Sequence, residues 1–200
     1  MTSGFFRFSL SFFLPIVLVV CFICLFFIPT LGDDSLSALS EEESFSSEHF
    51  LSNTNFIWPL PGFTRISSPF GKRNSPTAGS STNHSGIDIP APFHTNMLAV
   101  TSGTVIFTGF KGAGGYTITI QKDNFLISYC HVSPSFLVLP GQFIKKGQII
   151  GQVGPFYVDN IPNNPYKDKL GKPTNGATTG CHLHLTIKKD GIAVNPLAYF

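Results

Sequence analysis

Charged residues are scarce in this 200-residue chain: Asp, Glu, Lys and Arg together make up 12% of it, about half the share usual in globular domains. A sustained apolar periodicity of 3.6 residues is also missing, which argues against an α-helical fold. The basic residues form no clusters interleaved with aromatic residues, so the pattern typical of nucleic-acid binding is absent. These absences favour a mainly β protein without a nucleic-acid partner.

Aromatic residues are abundant, with 21 Phe, and several lie in an uncharged apolar run at residues 12–29. Arg7 precedes this run, and Asp33 and Asp34 follow it. Its length lies between the 7–15 residues of a signal-peptide core and the roughly 20 residues of a spanning helix. We therefore expect residues 1–32 to form a hydrophobic signal-anchor helix, with a signal peptide cleaved after Gly32 as the alternative.

The flanking charges also predict an orientation. With Arg7 inside and the acidic residues outside, the remainder of the chain would lie on the exported, periplasmic or cell-envelope side, held at the plasma membrane by residues 12–29. Residues 33–55 are rich in Ser and acidic residues, which predicts a flexible linker. Residues 56–200 are long enough for one globular domain.

The globular segment is basic, unlike the linker. From residue 56 onward there are 12 Lys and Arg against five Asp and Glu, an excess of seven positive charges. A basic exported domain suits an anionic polymer surface as its partner. Simple solubility is an equally good explanation for this charge.

Short apolar segments separated by Gly, Pro, Asn and Ser run through residues 56–200 and are typical of antiparallel strands joined by tight turns. Hairpins are predicted at Asp123-Asn124 and at Asp190-Gly191. Residues 155–178 break this rhythm with four prolines and predict a long irregular loop. Such a loop is either functional or a decorative insertion.

Two of the six histidines lie in the stretch TGCHLHLTI, with one residue between them. In a strand, His182 and His184 point to the same face, about 6–7 Å apart. This arrangement suits two zinc ligands, or one ligand beside a proton-transfer group. Two surface histidines on a solvent-facing strand are the alternative.

Other candidate side chains lie upstream. His84 stands four residues before Asp88, and His131 ends an apolar segment. A catalytic zinc takes about three protein ligands from His, Asp or Glu, and hydrolysis also needs proton-transfer groups. Together with the HxH pair, these residues are numerous enough to supply both.

Six motifs resemble, in the same order, those of the lysostaphin/LytM-type zinc endopeptidases. They are HSGIDIPAP, AVTSGTV, YCH, GQFIKKGQIIGQVG, TTGCHLHLTI and DGIAVNPLAYF. The resemblance implies a twisted antiparallel, sandwich-like sheet with an open groove for an extended peptide. It also implies a zinc metalloendopeptidase that cuts stem peptides or cross-links of peptidoglycan during cell-wall remodelling.

The resemblance assigns a role to each candidate side chain. His84, Asp88 and His184 match the three protein ligands of one Zn²⁺. His131 and His182 match two histidines that are not ligands and flank the reacting water and the scissile carbonyl. One of them would be the general base and the other a transition-state stabiliser, and the sequence does not decide which.

The chain also departs from the family pattern. His94 stands where the family usually has Gly, and we interpret it as a turn residue. Thr186 replaces a common Glu, a change we expect to be peripheral. The loop at residues 155–178 replaces a short connection, so substrate preference cannot be transferred. A non-catalytic module that activates another cell-wall hydrolase is the alternative function, and the five intact site positions argue against it.

The two cysteines of the domain directly precede two site histidines, His131 and His182. If both histidines face the metal, strand alternation turns Cys130 and Cys181 to the opposite face of the sheet. We hypothesise a Cys130–Cys181 disulfide behind the site, which an exported domain permits. Two separate buried thiols are the alternative.

Overall fold

The computed structural model describes residues 56–200. The predicted N-terminal helix (residues 1–32) and linker (33–55) lie outside the described residues. No helix among residues 56–200 is long and apolar enough to cross a membrane. Within this range the chain forms short strands and two short 3-10 helices, without an α-helix.

The strands are short, as the turn-rich sequence predicts. They are β1 (Gly71–Lys72), β2 (Asn83–His84), β3 (Ile87–Pro90), β4 (Asn96–Leu98), β5 (Gly103–Phe110), β6 (Tyr116–Lys122), β7 (Phe125–Cys130), β8 (Phe143–Ile144), β9 (Ile149–Gln152), β10 (His182–Lys189) and β11 (Ile192–Val194). The 3-10 helices span Gly112–Gly114 and Pro196–Tyr199.

The main sheet has seven strands in the order β11-β10-β7-β6-β5-β8, and β3 pairs with β10 as well. All its pairings are antiparallel. Two further sheets contain two strands each, β1–β2 and β4–β9. The prediction of a mainly β, antiparallel fold is confirmed for the described range.

Both predicted hairpins are present. β6 and β7 pair as far as Lys122 and Phe125, on either side of the predicted turn. β10 and β11 are joined at Asp190 and Gly191, with φ angles of 52° and 80°. Positive φ at both central residues is what a two-residue type I′ turn requires, and Asp-Gly is a favoured pair for it.

The main sheet is apolar on one face and polar on the other. In β10, Leu183, Leu185 and Ile187 are fully buried in the core, while the alternating His182 and His184 point to the polar face. Burying each such aliphatic side chain is worth about 1.5–3 kcal/mol. The alternation therefore fixes the register of β10 and, with it, the face on which the histidine pair lies.

The β4–β9 sheet covers part of the apolar face. Met97 of β4 and Ile150 of β9 are fully buried and belong to the same core cluster as Leu183. This two-layer arrangement agrees with the expected sandwich-like packing. It leaves the opposite, polar face of the main sheet available for a site.

The cysteine hypothesis is wrong. Cys130 and Cys181 are both free thiols, and they lie on opposite faces of the sheet. Cys130 pairs directly with His184 across β7 and β10, so it shares the face of His184. Cys181 packs against the hydrophobic core instead. The strand alternation does not extend to His131, because this residue follows β7 with a left-handed backbone, φ 57°.

Candidate metal and catalytic site

The five predicted side chains come together on the polar face. His184 lies centrally in β10, paired with Asp88 of β3 on one side and with Cys130 of β7 on the other. His84 ends β2, His131 directly follows β7, and His182 begins β10. Residues distant in sequence thus meet because three strands are adjacent at this point.

Three of these side chains could hold one metal ion. His84 Nε2 lies 2.9 Å from His184 Nδ1, which lies 2.7 Å from Asp88 Oδ1. The third side of this triangle, His84 Nε2 to Asp88 Oδ1, measures 3.2 Å. Two imidazoles and one carboxylate suit Zn²⁺, whose ligand atoms lie about 2.0–2.2 Å from the metal. The donor set and its geometry therefore fit zinc with little movement.

The second polar atom of each candidate ligand is also bonded. His84 Nδ1 donates to the Pro69 carbonyl at 2.8 Å. Asp88 Oδ2 accepts from Arg73 Nη1 at 2.9 Å. Such outer contacts orient metal ligands and select the histidine tautomer. Arg73 lies 15 residues before Asp88, and no local spacing rule in the sequence indicated this pair.

Thr186 is not peripheral, contrary to the expectation from the sequence. Its Oγ1 lies 2.9 Å from His184 Nε2. When that nitrogen donates to the hydroxyl, the lone pair of His184 Nδ1 is free to bind a metal. The sequence could have indicated this contact, because residues 184 and 186 of one strand point to the same face.

Burial and neighbouring charges set the protonation of the candidate ligands. Burial raises the pKa of Asp88, but hydrogen bonds from His182, His184 and His84 lower it by more, so the pKa of this carboxyl lies well below its usual range. Burial lowers the pKa of His184, which Asp88 only partly offsets. An ionised carboxylate and a neutral imidazole are the forms that bind a metal.

His131 and His182 form a second pair beside the candidate ligands. Their ring centroids are 4.7 Å apart, and His182 Nε2 lies 3.5 Å from Asp88 Oδ1. His131 Nδ1 donates to the Asn175 carbonyl at 2.7 Å, and His182 Nδ1 to the Gly180 carbonyl at 2.9 Å. In their neutral forms both rings therefore keep a lone pair on Nε2.

His131 is held neutral by its surroundings. Burial, helped by the neighbouring His182 and His184, lowers the pKa of His131 to about 3, although the Asn175 carbonyl and Asp88 oppose the change. A neutral ring in this position can accept a proton at Nε2. His94, by contrast, lies in a turn with φ 69° and bonds to Gln152, as the sequence predicts for a turn residue.

Comparison with known proteins places this arrangement in a family. Residues 82–163 match the model of Peptidase family M23. The DD-carboxypeptidase/endopeptidase Mpg of Neisseria meningitidis is 34% identical over 137 residues, which are 68% of this chain and 27% of that protein. The chain therefore carries a peptidase family M23 domain.

Other similarities extend this result. The murein hydrolase activator NlpD of Escherichia coli is 27% identical over 144 residues, 71% of this chain and 30% of that protein. The chain thus spans about a quarter to a third of the length of these curated relatives.

Solved structures share the fold. A zinc-containing peptidase from Vibrio cholerae has a TM-score of 0.55 at 25% identity, covering 70% of this chain and 39% of that one. The catalytic domain of lysostaphin from Staphylococcus simulans has a TM-score of 0.53 at 22% identity, covering 68% and 90%. The likeness to lysostaphin shows the fold alone, and this lysostaphin-like fold is the one that the resemblance implied.

The match to the M23 model ends inside the loop at residues 155–178, which packs against the M23 site. Ala177 donates its main-chain N–H to the Ala113 carbonyl at 2.9 Å. The Tyr166 ring packs so closely on Gly79 that an added Cβ there would lie 2.8 Å from Tyr166 Cε1. The loop therefore contacts both the β1–β2 connection and the first 3-10 helix, rather than projecting as a decoration.

A cavity of about 320 Å³ opens beside the candidate ligands of the M23 domain. Two segments that the loop contacts also line this cavity: the β1–β2 connection, through Ser80 and Ser81, and the first 3-10 helix, through Ala113. Lys111 and Lys188 also line it. Since no acidic side chain is among the described residues that line this cavity, it favours a ligand with negative charge.

Proposed function

We propose that residues 56–200 form a zinc-dependent endopeptidase domain that hydrolyses peptide bonds in the stem peptides or cross-links of peptidoglycan. The observation that carries the proposal is the triangle of His84 Nε2, Asp88 Oδ1 and His184 Nδ1, with sides of 2.7–3.2 Å. These three side chains would be the protein ligands of one Zn²⁺. The similar structure of a zinc-containing peptidase supports this assignment, as do the relatives named as a DD-carboxypeptidase/endopeptidase and as a murein hydrolase activator.

The remaining two histidines would handle protons. Zinc bound by the three ligands would polarise the scissile carbonyl and activate a water molecule. His131 and His182 present Nε2 toward the same space, because their Nδ1 atoms are committed to main-chain carbonyls. One ring accepts the proton of the attacking water at Nε2. The other, once protonated, donates to the developing oxyanion, and the geometry is compatible with either assignment.

The proposed location is the cell envelope, with residues 12–29 as a plasma-membrane anchor. The similarity to the murein hydrolase activator NlpD supports an envelope substrate. The excess of positive charge in residues 56–200 suits an anionic polymer. Under this proposal the domain works on the wall of its own cell, in cell-wall remodelling.

A second candidate function is activation of another cell-wall hydrolase without catalysis. The similarity to the murein hydrolase activator NlpD favours it. The presence of two proton-transfer histidines beside a complete ligand set favours the enzyme, because an activator needs neither.

Digestion of purified peptidoglycan separates the two functions. The purified chain is incubated with peptidoglycan of several wall types, and soluble fragments are identified by mass spectrometry. The enzyme releases fragments that end at one defined peptide bond, and His182→Ala removes this activity while His94→Ala, an exposed control outside the site, retains it. An activator releases no fragments alone and increases release by a second hydrolase.

A further inference from the structure

The loop at residues 155–178 contributes one fully buried polar residue, Asn175, directly behind the site. Its Oδ1 accepts from the Tyr116 N–H at 2.8 Å, and its Nδ2 donates to the Val132 carbonyl at 3.0 Å. Its main-chain N–H donates to the Phe156 carbonyl at 2.9 Å. Burying an amide side chain is costly unless its hydrogen bonds are made, so these contacts hold Asn175 in one place.

The fourth contact of Asn175 reaches the site. Its main-chain oxygen accepts the Nδ1–H of His131 at 2.7 Å. The side chain of Asn175 is anchored at the start of β6 through Tyr116 and directly after His131 through Val132. The Asn175 carbonyl accepts the hydrogen bond from His131, and the Asn175 side chain fixes the position of this carbonyl relative to the sheet.

The backbone of His131 is held equally firmly. Its N–H donates to the Gly114 carbonyl at 2.8 Å, and its carbonyl accepts from Gly154 at 2.9 Å. The ring can still rotate or change tautomer unless its Nδ1 is held. The contact with Asn175 removes this freedom, because an imidazole that donates from Nδ1 carries its lone pair on Nε2 when neutral.

We propose that Asn175 is the positioning residue for His131, fixing the ring orientation and the Nδ1–H tautomer so that Nε2 faces the reacting groups. The inference rests on the proposed function for its catalytic consequence, and on geometry alone for the tautomer. The loop at residues 155–178 is then part of the machinery of the site, because it supplies the group that aims a proton-transfer histidine.

Close packing provides a way to disturb this contact from outside the loop. A Cβ added to Gly115 would collide with both Oδ1 and the main-chain oxygen of Asn175. Gly115→Ala therefore pushes Asn175 away from His131 without removing a polar group. It also strains residue 115, whose φ is 62°.

The test compares Asn175→Ala with Asn164→Ala in the purified full chain. Asn164 donates to the Thr174 carbonyl in the same loop and does not bond to His131, so it reports general loosening of the loop. Long-range ¹H–¹⁵N NMR of the imidazole nitrogens gives the tautomer of His131, with His131→Gln for signal assignment. Zinc content and the kinetics of peptide cleavage are measured on the same samples.

We expect the wild type and Asn164→Ala to show the Nδ1–H tautomer of His131. In Asn175→Ala the ring signals should shift toward a mixture of tautomers. The kcat should fall about 10–100-fold, the size of effect known for hydrogen bonds that orient metal-ligating histidines, while KM and zinc content should stay within about twofold. Gly115→Ala should give the same pattern and decides the matter where Asn175→Ala does not fold.

An unchanged His131 tautomer in a folded Asn175→Ala or Gly115→Ala variant would overturn the inference. Equal loss of kcat in Asn164→Ala would also overturn it, since the effect would then belong to the loop as a whole. A wild-type chain that cleaves no peptidoglycan, but shows the tautomer change in the variants, would overturn the proposed function and leave the positioning role standing.

Discussion

Replacing Thr186 by Val should weaken zinc binding, although Thr186 is not a proposed ligand. The substitution preserves shape and removes the hydroxyl that lies 2.9 Å from His184 Nε2. The ring of His184 then has no acceptor for its Nε2 proton, so its orientation and its basicity at Nδ1 are both reduced. Outer-shell contacts of this kind typically contribute 10–100-fold to metal affinity, about 1.4–2.8 kcal/mol.

The structure also predicts a cost to the metal-free fold. Thr186 is buried, with 8% of its surface exposed, so Nε2 of His184 cannot simply turn to water when the hydroxyl is removed. Leaving a buried hydrogen-bonding atom unpaired, whether donor or acceptor, costs about 1–3 kcal/mol. Metal-free Thr186→Val should therefore lose free energy of unfolding in that range, while Thr186→Ser, which keeps the hydroxyl, should recover most of both losses.

The assay is competition for zinc with a fluorescent chelator at fixed pH, combined with urea unfolding of the metal-free protein. Thr119→Val is the matched control, because Thr119 is also buried on the polar face but bonds to Ser128 and to no candidate ligand. A zinc dissociation constant for Thr186→Val within twofold of that of Thr119→Val would show that the Thr186 hydroxyl does not support zinc binding.

Three further predictions follow from the same geometry. His184→Ala should lose zinc because only two protein ligands remain, whereas His182→Ala should keep about one zinc per chain and lose most cleavage, as elemental analysis and fragment release can show. Metal-free protein should lose stability as the pH falls from about 6.5 to about 3, because the unfolded chain binds a proton at His131 that the folded state, with a pKa of about 3 there, does not bind. Urea unfolding should show a flatter pH dependence for His131→Gln. Alkylation of the unreduced, denatured protein should modify both Cys130 and Cys181.

Each of these predictions has a contradicting result. Stoichiometric zinc in His184→Ala would remove this residue from the ligand set, and full cleavage by His182→Ala would remove the proton-transfer role. A stability profile of His131→Gln that parallels the wild type would show that His131 does not govern the acid response. A mass for the linked peptides around residues 130 and 181 would restore the disulfide hypothesis.

Strand alternation accounts for the part of the site that could be predicted from the sequence. A period of two places His182 and His184 on one face, and the aliphatic residues between and after them require that this face be the polar one. The turns at Asp123 and Asp190 were predictable because Asp, Asn and Gly accept the necessary backbone conformations. The proposed role of each histidine came from the family resemblance and stays a prediction.

Contacts between residues distant in the chain could not be predicted from local patterns. His131 faces the site, on the same side as Cys130, because its left-handed backbone ends the alternation of β7. Arg73 meets Asp88 across 15 residues, and Asn175 meets His131 across 44 residues. These pairs depend on how strands and loops pack together, so no residue spacing within one element reveals them.

The most direct test of the proposed zinc endopeptidase is one paired measurement on the purified full chain: zinc bound per chain, and new amino termini released from peptidoglycan. We expect about one zinc and a single type of cleaved bond for the wild type, with both lost in His184→Ala. Release of amino termini at the wild-type rate by zinc-free His184→Ala would contradict a zinc endopeptidase centred on His84, Asp88 and His184.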